Sequence, residues 1–536
     1  MTERPAAGRA FVVHRPPESF TPRERYLALS VLVVGAFMVM LDATVVNLAL
    51  PKIMILFGAR VEEAQLVLTG YMLALAVIIP ATGFVSDRLG SRQAFLICTF
   101  FFTVGSALCG FAWDIQSLVL FRVLQGLGGG MMMPLAMTIL YQVVPLEQRG
   151  FVMSFLGLPL LLAPIVGPTV GGYLIEYVNW RVIFTLNIPV GMAGLFLGVL
   201  WLPHMPVRPR LKFDLAGFVL AAAGFSSVLY GLSHAPTDGW KTPYILALLV
   251  GGSVALLAWI VVELTVEDPL LELRVFRNYV YSLATLVNFI LTAGIFSSMF
   301  LLPIFLQNLR GLTAVQTGLL FLPQAVAATL TMPIAGRVFD RFGARPVMLV
   351  GLAIQAYTTF RLAQLDVTTS GWELQEILIM RGMSAGMVTM PAMTTAMNTI
   401  PPHLLARASS LTNVLRQIFA TFGTAIFATI LQSRESYHYA MAAQTVTAQS
   451  PGVQALMVRA QQLAVEHGLT ALQAKAMVTG VLAREAAIAS MVRSFDDCFW
   501  IAAWAALLAM VPALFFPRVV APRKRRGGAT GAVGLA

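Results

Sequence analysis

Charge is scarce in this sequence. Of 536 residues only 11% are Asp, Glu, Lys or Arg, while 58% are hydrophobic. A soluble domain carries about 25% charged residues, so a soluble globular domain is excluded. Cysteine is scarcer still. Cys98, Cys109 and Cys498 all fall in apolar runs at unrelated spacings, which leaves neither a disulfide framework nor a cysteine metal site. No His lies within an apolar run and acids do not cluster, so nothing points to a bound metal or a metal enzyme. No Lys-Ser or Lys-Thr follows the triple glycine Gly128–Gly130, so that run reads as helix packing rather than a phosphate cradle. GMSAG (382–386) matches G-x-S-x-G. It lies inside an apolar run rather than at a strand-to-helix turn, and Ser384 has no visible base. No secretory signal peptide is visible: the first apolar run follows a polar, Pro- and Arg-rich stretch and is too long for an h-region, so a retained first helix is expected.

Long apolar runs are plentiful. Runs of 18 or more residues recur along almost the whole chain, each able to cross a hydrocarbon core about 30 Å thick. They do not alternate polar and apolar residues, which excludes a β-barrel. The fold class is all-α integral membrane. Helices are expected near 26–51, 65–86, 93–112, 117–143, 150–176, 181–202, 214–234, 243–264, 279–308, 316–337, 346–363, 374–399, 407–432 and 495–517. The basic residues, net charge +11, sit in short loops on one side and at both ends. That is a membrane-orientation signal and not a nucleic-acid footprint. The positive-inside rule puts both termini in the cytoplasm.

GFVSDRLGSR (83–92) returns as GRVFDRFGAR (336–345), each closing an apolar run. The following loops also correspond, PLEQRG (145–150) with PPHLLAR (401–407). The expected organisation is therefore a basic tail (1–25), a six-helix half (26–202), an inserted helix pair (214–264), a second six-helix half (279–517) and a second basic tail (518–536). Parallel six-helix repeats are the major facilitator architecture. The second half contains a long outer segment, 433–494, Ala- and Gln-rich, which reads as helix broken near Gly468 and Gly480. It is either a solvated connector or a docking surface.

Asp42, in LDATVVNLALP (41–51), is one carboxylate inside the first span. Such a group costs roughly 2.5–3.5 kcal/mol on insertion scales and is a functional candidate by default. Arg122, in FRVLQGLGGGMMMP (121–134), lies at similar expected depth. The two form either a proton-handling pair or a structural ion pair. Gly83, Asp87 and Arg88, with Asp340 in the second repeat, mark a gate at the basic rim, where Asp87 can pair with Arg149 or with a helix N-terminus of the other half; Arg407 is the matching Arg of the second half. The alternative is a simple positive-inside anchor. Pro159 and Pro168 bend the fifth span, and Gly167, Gly171 and Gly172 give it a smooth packing face. Asn47, Gln125, Arg381, Asn413, Arg416 and Gln417 are candidate substrate contacts.

Together these segments resemble the major facilitator superfamily, and within it the fourteen-helix drug:proton antiporters of the EmrB/QacA kind. LDATVVNLALP is similar to their first-helix signature, RVLQGLGGG to the fourth-helix motif, and GPTVGG to the fifth-helix antiporter motif. WRVIFTLNIPVG (180–191) and LLPIFLQNLRGLTAVQTGLLFLP (301–323) are similar too. The resemblance implies a transporter rather than an enzyme, in a bacterial inner membrane, exporting substrate against inward proton flow with no cofactor but the gradient. It implies that Asp42 couples, Arg122 modulates and Asp87 gates. The long outer loop is similar to that of the EmrB-type permease subunit, which implies a periplasmic adaptor and an outer-membrane channel as partners. One deep acid against Arg122, Arg381 and Arg416 favours neutral or anionic lipophilic substrates over cations. Export of a single endogenous metabolite such as a siderophore or antibiotic, proton-driven uptake, and a non-transporting scaffold remain open alternatives.

Overall fold

The computed structural model describes residues 16–205, 207, 211–366, 368–445, 454–455, 457–459, 462 and 470–516. Among the described residues the chain is helical with no strand. Among the described residues fourteen helical segments, some in two pieces, follow one another. The first six are α1 (Pro22–Phe57), α2 (Val61–Ile78, continued by Thr82–Leu89), α3 (Ser91–Gly110), α4 (Ile115–Gly129, continued by Met132–Val143), α5 (Arg149–Tyr177) and α6 (Val182–Thr185, continued by Asn187–Trp201). A pair follows, α7 (Leu215–Asp238) and α8 (Pro243–Thr265). The last six are α9 (Tyr279–Ile304), α10 (Ala314–Phe342), α11 (Ala344–Leu362), α12 (Gly371–Asn398), α13 (Leu405–Thr445) and α14 (Ala471–Leu508). Eleven of these are long and apolar enough to cross a membrane by length and composition; α5, α11 and α12 are not among the eleven.

The helices start where a side chain can satisfy their free N–H groups. Reciprocal capping boxes open α1 (Thr21 with Glu24), α10 (Thr313 with Gln316) and α14 (Thr470 with Gln473). The repeat seen in the sequence has a backbone cause. α2 and α10 both end on a glycine of positive φ, Gly90 at 85° and Gly343 at 84°, a conformation L-residues with a Cβ rarely adopt. The two DR-x-G-x-R runs therefore make the same turn.

Within the first half α1 packs on α5, and α4 packs on α2 and α3; within the second α12 packs on α10 and α11, and α13 on α9 and α14. The halves meet where α5 lies along α10 and where α13 meets α2 and α4. The inserted α7 and α8 pack on each other, and α7 also touches α2 and α13, so the pair flanks the seam. Phe100, Phe101, Phe196, Val250, Leu257 and Leu330 are exposed, as suits a surface facing lipid.

Three expectations need correction. Residues 16–25 are not a tail: Pro17–Ser19 forms a turn, α1 begins at Pro22, and buried Arg25 donates to Gln148 Oε1 at 3.0 Å. Residues 1–15 and 517–536 lie outside the described residues. The outer segment is largely a continuation of the spans, since α13 runs unbroken to Thr445 and α14 already begins at Ala471. Gly480 sits inside α14 and does not break it, whereas Gly468 lies outside the described residues.

Candidate functional site

The structure brings Asp42 of α1 and Arg122 of α4 together. Arg122 Nη1 donates to Asp42 Oδ2 at 2.5 Å, and both side chains are fully buried. Asp42 Oδ1 accepts from Gln125 Nε2 at 2.9 Å and from Asn187 Nδ2 at 3.0 Å. Arg122 also donates to Gln125 Oε1 at 2.8 Å and to the Val67 carbonyl at 3.4 Å. Its guanidinium carbon lies 3.9 Å from the centre of the Tyr71 ring, where a cation is attracted by the π face. Both oxygens of the carboxylate are thus matched, while Arg122 Nη2 is buried with no hydrogen-bond partner beyond the Tyr71 π face. Gln125, named above as a candidate substrate contact, lies in this buried network. Asn187, on α6, was missed in the sequence, although a lone amide within an apolar run is a signal of this kind.

At the end of the bundle that carries the basic loops, the halves are latched together. Asp87 meets Arg407 at 3.5 Å, a partner in the opposite half, rather than Arg149. Buried Arg149 instead donates to the carbonyls of Val144 and Tyr141 and to Asn398 Oδ1 at 2.9 Å, so it too reaches across. Asp340 accepts from the backbone N–H groups of Gly150 at 2.8 Å and Phe151 at 3.0 Å, capping the N-terminus of α5 from α10. Arg88 lies over the Phe84 ring, 5.6 Å from its centre. A Cβ on Gly83 would stand 2.7 Å from Arg407 Cγ and 3.1 Å from the Leu270 carbonyl oxygen. The loop that trails α8 therefore reaches the same place, and its Asp268 approaches Arg407 at 3.8 Å. Buried Glu263 anchors that loop by accepting from Trp259 Nε1 and the Leu271 N–H. The inserted pair is part of the latch, which the sequence did not reveal.

A cross-half cap of this kind is worth about 1 kcal/mol, or roughly a fivefold change in a two-state ratio. Asp340→Ala should therefore raise the maleimide labelling rate of a cysteine placed at Ser410 by about fivefold. Ser410 Oγ donates across the seam to the Ile79 carbonyl at 2.5 Å, so it is shielded while this end is shut, and the three native cysteines are buried. An unchanged rate would show that the cap does not hold the halves.

A cavity of about 330 Å³ lies on the other side of this latch, in the second half, between α9, α10, α12 and α13. Arg381 and Arg416 line it, with Gln324, Gln355, Thr317 and Asn288 as neutral polar groups and Leu291, Ile295, Met299 and Phe321 among the apolar ones. Leu48 of α1 also lines it, two turns beyond Asp42. Asn413 is buried beside the cavity and accepts from Arg416 Nη2 at 3.1 Å. Asn47 and Gln417 are not among the lining residues; Asn47 is exposed and its amide donates back to the Ala43 carbonyl. Ser384 donates to the Gly351 carbonyl and Gln355 Oε1 and meets no base.

α5 couples these regions by contact. Cβ atoms on Gly167 and Gly171 would come within 2.3 Å of Thr44 Oγ1 and 2.5 Å of Val45 Cγ1 on α1, so these glycines permit the close crossing. Gly172 faces open space and is not a packing position. Pro159 is buried, while the Pro168 side chain lies outside the described set.

Two helical halves, one holding a buried ion pair and the other a cavity, latched to each other at one end, define a secondary-transporter class of membrane protein. Residues 32–424 match the Major Facilitator Superfamily, and the chain belongs to that superfamily. It is therefore a multi-pass transporter and not an enzyme. It is 36% identical over 480 residues to the uncharacterized MFS-type transporter YhcA of Bacillus subtilis, covering 89% of this chain and 90% of that one. It is 35% identical over 405 residues to the multidrug resistance protein B homolog of Mycobacterium tuberculosis, covering 75% of each; further relatives are also named for multidrug resistance. The fold is similar to that of the human organic anion transporter MFSD10, with TM-score 0.59 at 14% identity, over 92% of this chain and 100% of the other. That likeness speaks for the fold alone.

Proposed function

We propose that this chain is a proton-coupled antiporter that exports lipophilic compounds, neutral or anionic, from the cytoplasm across a bacterial inner membrane. The carrying observation is the buried Asp42–Arg122 pair at 2.5 Å. An ionisable carboxylate held inside the bilayer by a single cation is a proton-binding site that substrate movement can open and close. Relatives named for multidrug resistance support the choice of substrate class. On this reading the basic loops mark the cytoplasmic side, which makes the latched end the inner end, shut in this structure. The proton gradient is the only cofactor this reading needs. Wild-type proteoliposomes given a pH step should move a lipophilic probe against its gradient, and the movement should stop when an ionophore collapses the step. Movement that survives collapse of the gradient would exclude proton coupling.

The same reading includes a partner outside the membrane. α13 has 41 residues and α14 has 38, lengths of about 60 Å at 1.5 Å per residue against a core of about 30 Å. The two helices pack on each other, and Arg434 and His438 of α13 meet Asp497 of α14 at 2.7 and 2.8 Å. A stiff projecting helix pair suits docking of an adaptor that leads to an outer-membrane channel. Deleting the projecting ends should leave transport in proteoliposomes intact while abolishing drug resistance in cells. Equal loss in both settings would remove the adaptor from the proposal.

A further inference from the structure

The buried arginines of the two halves differ in counter-charge, although Arg122 and Arg381 each keep one buried Nη2 without a hydrogen-bond partner. Arg122 has Asp42 as its counter-charge. Arg381 and Arg416 have none: among the described residues no carboxylate lies within ion-pair distance of either. Arg381 is 4% exposed. Its Nη1 donates to Thr359 Oγ1 at 3.0 Å, but its Nη2 is buried with no hydrogen-bond partner. Arg416 donates only to the neutral Asn413 Oδ1. Both line the same cavity, and a guanidinium does not shed its proton to escape an apolar setting. An unmatched buried charge is costly, and the free N–H groups offer the fork that a planar carboxylate accepts.

We propose that this cavity is an anion site, in which Arg381 and Arg416 hold the carboxylate of a lipophilic monoanion. Its apolar body lies along Leu291, Ile295, Met299 and Phe321. Gln324 Oε1, buried and without a donor, accepts from any N–H or O–H the ligand carries. The site narrows the substrate class of the export reading and rests on that reading for the direction of movement, though not for binding. It also fixes a charge balance. One proton moving in against one monoanion moving out transfers two charges, so an inside-negative potential alone drives export.

The test needs no gradient. Full-length wild-type protein in lipid nanodiscs is titrated calorimetrically with naphthalene-2-carboxylate and with naphthalene-2-carboxamide, which has nearly the same shape and no charge. The carboxylate is expected to bind at least tenfold more tightly than the amide. In Arg381→Gln and Arg416→Gln the ratio of the two affinities should fall towards one. Equal or tighter binding of the amide by the wild type overturns the proposal without reference to any variant, as does no carboxylate binding at millimolar concentration. Carboxylate binding unchanged in both variants overturns the assignment of these arginines. Selective carboxylate binding together with transport indifferent to a proton gradient would sink the antiporter reading and leave the anion site standing.

Discussion

Asp42→Asn should end accumulation while leaving binding in place. With the membrane potential clamped at zero, one proton exchanged for one substrate molecule lets a pH step of one unit, 1.36 kcal/mol, support about a tenfold substrate gradient. Wild-type proteoliposomes should approach that ratio, and the Asn variant should stay at about onefold while still exchanging labelled for unlabelled substrate. The cavity lies in the other half, with Leu48 its one lining residue from α1, so its affinity should change little. A variant that still accumulates substrate would move the coupling site away from Asp42. The pair also carries a stability prediction. Arg122→Gln alone leaves a buried carboxylate facing Gln125 and Asn187 without a cation, which costs about 3–5 kcal/mol. The double variant Asp42→Asn with Arg122→Gln removes both charges and should recover most of that loss in thermal unfolding. Additive losses would mean the two groups are not coupled.

How much of this could be read from the chain depends on how far apart the interacting residues lie. Asp42 and Arg122 stood out because charge in a span is rare, and the helix directions matched their depths. The repeat stood out because one turn, with Gly90 and Gly343 at positive φ, needs the same residues twice. Partner choice was not legible. Asp87 takes Arg407 rather than Arg149 because the halves cross, and crossing is a tertiary fact that no local spacing encodes. Asn187 lies 145 residues from Asp42, so its amide looked like any tolerated polar group. The ends of α13 were misjudged for a different reason: the run was cut at bilayer length, although helix-favouring Ala and Gln continue past it. The cavity was half legible, because Arg381 and Arg416 are conspicuous while Gln324, Gln355 and Thr317 look like ordinary helix residues.

Gly336→Ala should jam the cycle from the inner side. A Cβ there would stand 2.4 Å from the Gly150 carbonyl oxygen, 2.7 Å from its carbon and 2.9 Å from Phe151 Cα. All three are backbone atoms and cannot rotate aside. The reverse contact is as tight, with a Cβ on Gly150 2.6 Å from the Gly336 carbonyl oxygen. Closing α5 on α10 with an extra methyl group in that space costs about 1–3 kcal/mol of overpacking, and the state with this end open bears none of it. The closed population should fall by roughly 5- to 150-fold. A cysteine at Ser410, on the same seam, should then label with maleimide at least about tenfold faster. Net transport should fall in step, because alternating access needs the inner end to shut. Gly83→Ala provides a graded comparison: its Cβ would stand 2.7 Å from Arg407 Cγ, but its backbone contacts are looser than those at Gly336, at 3.1 Å to the Leu270 carbonyl oxygen and 3.2 Å to Arg407 Cα. It should label faster than the parent but less so than Gly336→Ala, and its transport should fall less. If Gly336→Ala labels and transports like the parent, the α5–α10 contact is not the inner seal, and the burden of closure passes to Asp87, Arg407 and the loop trailing α8.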